Sequence, residues 1–139
     1  MKRILLVCPD TAVSAELTLC LEHSGFEVAA VAESTEALTE MNRCGPDIIV
    51  IGENSPKLNG DELCIRIRET SDVPILVLGQ TEGHLEAVEM LEMGADAYLA
   101  YPWNSRELLA RIRSLLRRRR GHIRHDCDPS AVRQGYMWR

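Results

Sequence analysis

Aromatic residues make up only 4% of the 139 residues, with one phenylalanine among them. Any core must therefore be built from Leu, Ile, Val and Ala. No apolar stretch approaches the roughly 20 residues that span a bilayer. The opening run Ile4-Leu5-Leu6-Val7-Cys8 is halted by Pro9 and Asp10, too soon for a secretory signal. These absences point away from the membrane and towards the cytoplasm. Paired-cysteine spacing is missing too: Cys8, Cys20, Cys44, Cys64 and Cys127 are odd in number and scattered. That pattern fits free thiols in a reducing compartment. His23, His84, His122 and His125 show no ligand spacing, so no metal site is expected. There is no internal repeat, and the length allows one well-cored domain but not two.

The net charge of -5 argues against a general nucleic-acid coat. The charge is uneven, however: the segment from Arg106 to Arg139 is strongly basic and the rest is acidic. The run Arg117 to Arg120 suits a helix C-terminus, where cations meet the negative end of the macrodipole. No aromatics are interleaved with it as a nucleic-acid surface would require.

Short aliphatic runs alternate five times with longer amphipathic stretches, which predicts β-α units forming a parallel sheet covered on both faces. The predicted strands are Arg3 to Cys8, Glu27 to Val31, Asp47 to Gly52, Pro74 to Leu78 and Ala97 to Ala100. Ile48-Ile49-Val50-Ile51 is apolar at every position, so the third strand should be central. The predicted helices are Thr11 to His23, Thr35 to Arg43, Gly60 to Thr70, Gly83 to Met93 and Ser105 to about Arg119. Leu108, Leu109, Ile112, Leu115 and Leu116 recur at helical spacing with arginines between them, the mark of an amphipathic last helix. Residues 1–120 thus form the predicted domain. The polar, aperiodic stretch 121–139 reads as a linker or C-terminal tail.

Several segments, in order, carry a resemblance: Ile4-Leu5-Leu6-Val7, Pro46 to Ile51, Pro56 to Gly60, Val73-Pro74-Ile75-Leu76, Gly94 to Leu99, and Arg106 to Ile112. Together they closely resemble response-regulator receiver domains over residues 2 to about 120. The last helix is most similar to receivers of the OmpR/PhoB kind, which precede a winged-helix DNA-binding domain. The resemblance implies a flavodoxin-like (βα)5 three-layer sandwich with strand order 2-1-3-4-5.

It also implies a phosphorylation site of five side chains at the carboxyl edge of the sheet. An acidic pair there binds magnesium, an aspartate accepts the phosphoryl group, and a hydroxyl residue and a lysine hold the product. In this chain those positions hold Cys8 and Pro9, Gly52, Gly79 and Tyr101, and none matches. Asp10 and Glu53 stand one step out of register, and a one-residue slip along a strand aims a side chain at the other face. Asp10 is therefore expected to cap the first helix and Glu53 to be a solvated loop residue. By resemblance the Tyr101-Pro102 bond is cis, Tyr101 covers the vacated pocket, and Tyr98 takes the place of the aromatic that reports activation.

The expectation is a non-enzymatic, phosphorylation-independent pseudo-receiver with no cofactor, acting in transcription regulation through protein association. The resemblance suggests a weak homodimer through the fourth helix, fifth strand and fifth helix. Leu85, Val88, Leu91, Asp96 and Arg111 would line it, while Ala87 and Ala97 replace two of the family's charged partners. Another signalling protein is a possible partner, and DNA would be reached only through a C-terminal domain not present in this chain. The alternatives are a small-molecule or redox sensor using the emptied pocket, with Cys8 at its floor, and a stand-alone adaptor.

Overall fold

A computed structural model of the chain describes residues 1–52, 60–79, 84–100 and 102–118. Five strands alternate with five helices: β1 (Arg3–Val7), α1 (Thr11–His23), β2 (Glu27–Val31), α2 (Ser34–Cys44), β3 (Ile48–Gly52), α3 (Gly60–Thr70), β4 (Ile75–Gly79), α4 (His84–Glu92), β5 (Ala97–Ala100) and α5 (Ser105–Arg118). All neighbouring strands pair in parallel, in the order β2-β1-β3-β4-β5. The predicted order and fold class are those observed.

Successive strand residues point to opposite faces, and this alternation divides the interior into two cores. Ile4, Leu6, Ile48, Val50, Leu76, Leu78 and Leu99 pack beneath α1 and α5 with Leu17, Leu21, Leu108, Ile112 and Leu115. On the other face Leu5, Val7, Ile49, Ile51, Ile75 and Val77 pack against Ala37, Leu63, Cys64, Ile67 and Met90 of α2, α3 and α4. Every residue of β3 and β4 is buried, as continuous apolar strands require.

Element ends differ from the predicted ones by a residue or so, each for a local reason. β4 runs on to Gly79, which stays in register with Ala100. β3 begins after Asp47, whose carboxylate turns aside to accept the Arg3 amide at 2.7 Å. α2 begins at Ser34, where the Glu33 carbonyl accepts from the Ala37 amide at 3.1 Å, and gives way to Gly45 in a left-handed conformation, φ 51°. The tail 121–139 lies outside the described residues.

A latch at the amino edge joins α3 to the last two strands. Arg68 donates to the carbonyls of Gly94 at 2.9 Å and of Ser71 and Val73, and pairs with the Asp96 carboxylate. The same Asp96 oxygen accepts the Ile75 amide at 2.8 Å. Gly94 makes the approach possible: its φ is 120°, and a Cβ there would lie 2.7 Å from Arg68 Cγ. Asp96→Ala leaves the Ile75 amide without its acceptor beside a buried residue, and should destabilise the domain by about 1 to 3 kcal/mol in urea unfolding. Asp96→Asn, which keeps an acceptor, should recover part of that loss.

Candidate functional site

An open α/β sheet presents its working edge beyond the carboxyl ends of its strands. Register places Val7 beside Ile51, Gly52 beside Leu78, and Gly79 beside Ala100, so Cys8, Gly52 and Gly79 gather along one edge. Three of the five sequence-derived site positions are thereby brought together. Pro9 follows Cys8 on the same turn. Tyr101 and Glu53 lie outside the described residues, as does the Tyr101-Pro102 bond.

At the edge between β1 and β3 the Cys8 side chain lies close against Gly52. Cys8 is buried and its thiol donates to the Asp10 carbonyl at 3.5 Å. A Cβ on Gly52 would meet Cys8 Sγ at 3.2 Å and Cys8 Cβ at 3.3 Å, so a side chain at 52 would crowd the cysteine, which would have to give by a few tenths of an ångström. Asp10, as expected, caps α1: its Oδ1 accepts the amides of Ala12 at 2.9 Å and Val13 at 3.1 Å. Cys64 lies in the core on the opposite face of the sheet from Cys8.

The edge between β4 and β5 is filled by a phenol. Tyr98 is half-buried against the α3–α4 face, and its ring reaches along the strands to Gly79. A Cβ on Gly79 would fall inside the envelope of the Tyr98 hydroxyl and Cζ and 2.9 Å from Cε2. No residue larger than glycine fits at 79 while Tyr98 holds this rotamer. The sequence marked both positions, but only the register of β4 with β5 shows that they share one volume.

The residues expected on an association surface divide. Val88 and Leu91 of α4 are exposed, 41% and 46%, while among the described side chains of that helix Met90 is the one in the core. Arg111 is exposed on α5. Asp96 is already engaged inside its own chain by Arg68 and the Ile75 amide. The side chain of Leu85 lies outside the described residues. Sequence reasoning passed over Arg68, and Glu40, an acid wholly inside α2's core face; neither belongs to a motif.

The response regulator receiver domain family matches residues 4–113. The chain belongs to that family. Among curated relatives, the sensory transduction protein RegX3 of Mycobacterium tuberculosis is 35% identical over 118 residues, which is 85% of this chain and 52% of that protein. The DNA-binding response regulator MtrA of Mycobacterium leprae is 37% identical over 117 residues, 84% of this chain and 52% of that protein. The chain thus spans about half the length of the curated relatives it matches. Among solved structures, the receiver domain of Francisella response regulator 1452 superposes with a TM-score of 0.79 at 26% identity, covering 85% of this chain and 98% of that one. The chemotaxis response regulator CheY4 of Vibrio cholerae superposes at 0.76 with 26% identity, over 83% and 98%. The RegX3 and MtrA likenesses relate this receiver to regulators of the OmpR/PhoB type.

The magnesium implied by the family does not fit the described edge of this receiver. Magnesium takes oxygen ligands in octahedral array. At positions 8, 9 and 52 stand a thiol, a proline ring and no side chain, and Asp10 Oδ1 already accepts two amides. Among the described residues no group of three His, Cys, Asp or Glu is placed to hold a metal ion.

Gly79→Ala should force Tyr98 out of its place and destabilise the receiver by about 1 to 3 kcal/mol, the range for overpacking a filled site. The same change in a Tyr98→Ala background should cost far less. A double-mutant cycle in denaturant, with tyrosine fluorescence reporting the ring's environment, measures this coupling. Additive effects would mean the two positions do not share a volume.

Proposed function

We propose that this receiver is a regulatory module that works without phosphorylation and without catalysing a reaction, through association with protein surfaces. The observation that carries the reading is the Tyr98 ring seated over Gly79. The ring takes this place because the glycine leaves it room, and it fills the position where the family's hydroxyl residue would stand. A receiver built this way is held in one conformational state, and its signal comes from what it binds or from how much of it is present.

The chemistry of the edge supports the same reading. Phosphoryl transfer depends on positioned charge around a nucleophile. Gly52 offers no nucleophile, and Cys8 sits where one would need space. A redox-sensing role for Cys8 is disfavoured by its burial and its bond to a backbone carbonyl. By analogy with RegX3 and MtrA, the module would be the receiver-like part of a transcriptional regulator, with DNA contacted only by a further domain.

Magnesium with beryllofluoride or a small phosphodonor should leave amide resonances and association state unchanged. Gly52→Asp alone should take up no label from a radiolabelled phosphodonor. The five-site variant Cys8→Asp, Pro9→Asp, Gly52→Asp, Gly79→Thr and Tyr101→Lys should label measurably. Labelling of the single variant at the five-site rate would overturn the proposal.

The partner surface we assign is α4-β5-α5, taken up by a second copy. Exposed Val88 and Leu91 supply its apolar centre, with Arg111 exposed on α5 and acidic Glu89 and Glu92 exposed on α4. A two-fold arrangement sets α4 of one copy against α5 of the other, with opposite charges meeting. Ala87 and Ala97 remove two charged partners, so the dimer should be weak. Light scattering should show dimer growing with concentration, and Arg111→Glu or Leu91→Asp should abolish it; a monomer at every concentration would argue for a different partner.

A further inference from the structure

Glu40 sits on the inward stripe of α2, one turn after buried Ala37 and beside half-buried Met41. It is wholly sequestered from solvent, and neither carboxyl oxygen has a hydrogen-bond partner among the described residues. The surfaces against which α2 lies are β1 and α3, and their contribution to this core is apolar: Leu5 and Val7 from the strand, Leu63 and Ile67 from the helix. A carboxylate in such a place has lost its hydration and gained nothing in return.

Among the described residues the charged groups around this seam do not offset that loss. On α2 itself Glu36 precedes Glu40 by one turn, and half-buried Arg43 follows it. On α3, Glu62, Arg66 and Glu69 are exposed, and Arg68 is turned to Gly94 and Asp96. On β1, Arg3 is paired with Glu27. The Cys64 thiol is the titratable group buried in the seam from α3. Burial raises the pKa of Glu40 above the usual glutamate range, against a smaller opposing pull from Arg43.

We infer that the seating of α2 on the sheet depends on a proton held by Glu40: the protonated acid rests in the core, and the ionised acid favours a lifted helix. The direction of the linkage follows. The lifted helix exposes Glu40 to water, where it titrates in the ordinary range, whereas the seated helix holds the proton to higher pH. Seating is therefore complete below the ordinary glutamate pKa and weakens as pH rises through the folded-state value. The receiver would carry an input that responds to acidity, separate from the carboxyl edge and independent of how that edge signals.

The test is amide hydrogen exchange on the whole chain across pH 5 to 8.5, corrected for intrinsic exchange, on the wild type, Glu40→Gln and Glu40→Leu. In the wild type, opening of α2 amides over residues 37–44 should rise by up to about tenfold per pH unit until the raised pKa is passed, then level off. Amides of β1 and β3 should not follow. Both variants should show α2 opening that is flat with pH, and Glu40→Leu should protect the helix more than the wild type at the alkaline end. Carbon-detected NMR of the Glu40 carboxyl should show a titration displaced upward. A carboxyl titrating in the ordinary range, or α2 opening with the same pH profile in wild type and Glu40→Leu, would overturn the inference.

Discussion

A parallel sheet whose strands are joined through helices has no face left for water. Everything in this receiver follows from that constraint. Because β1, β3 and β4 are covered on both sides, each residue of a strand must satisfy one of two cores, and the assignment alternates without exception along them. A single register slip would exchange the two sets and set Ile49 and Ile51 against α5. The only parts of the strands free to vary are their ends, where the side chains are no longer needed for packing. The functional residues of the fold belong there for that reason.

At the carboxyl ends this chain uses that freedom unusually. Cys8 and Tyr98 come from opposite cores and close the edge from two directions, one over Gly52 and the other over Gly79. Both glycines accommodate a neighbour in place of a side chain of their own. At the amino ends the polar work is of another kind: Asp47 and Asp96 accept strand amides, and Arg68 binds the end of α3 to both β4 and β5. That edge anchors the sheet.

The sequence made the elements legible because strand and helix periodicities are local properties, and all ten were readable from apolar spacing. The strand order was not: it entered through resemblance, since nothing in the spacing of β-α units says where the crossovers turn. The site was legible as a set of positions through the resemblance, and Asp10 as a helix cap from residue type and place. The contact of Tyr98 with Gly79 was not, because it depends on the register between two strands and on a ring's rotamer. Glu40 was invisible for a different reason: an acid in a polar helix reads as solvated unless the neighbouring elements are known to bury it. Asp96 was read as an interface residue from its place in Gly94-Ala95-Asp96, and its bonds to Arg68 and Ile75 are made to partners 28 and 21 residues away in sequence.

The shared volume of Tyr98 and Gly79 also governs which histories are open to such a protein. With glycine at 79 the ring can settle where it does, whereas beside any larger residue it must take another rotamer. Once the ring has settled, the way back carries a cost at that position. A mutation restoring a hydroxyl side chain at 79 meets an occupied site, and it must displace the Tyr98 ring before it can bring any benefit. The pair therefore works as a ratchet, making a single early substitution difficult to reverse.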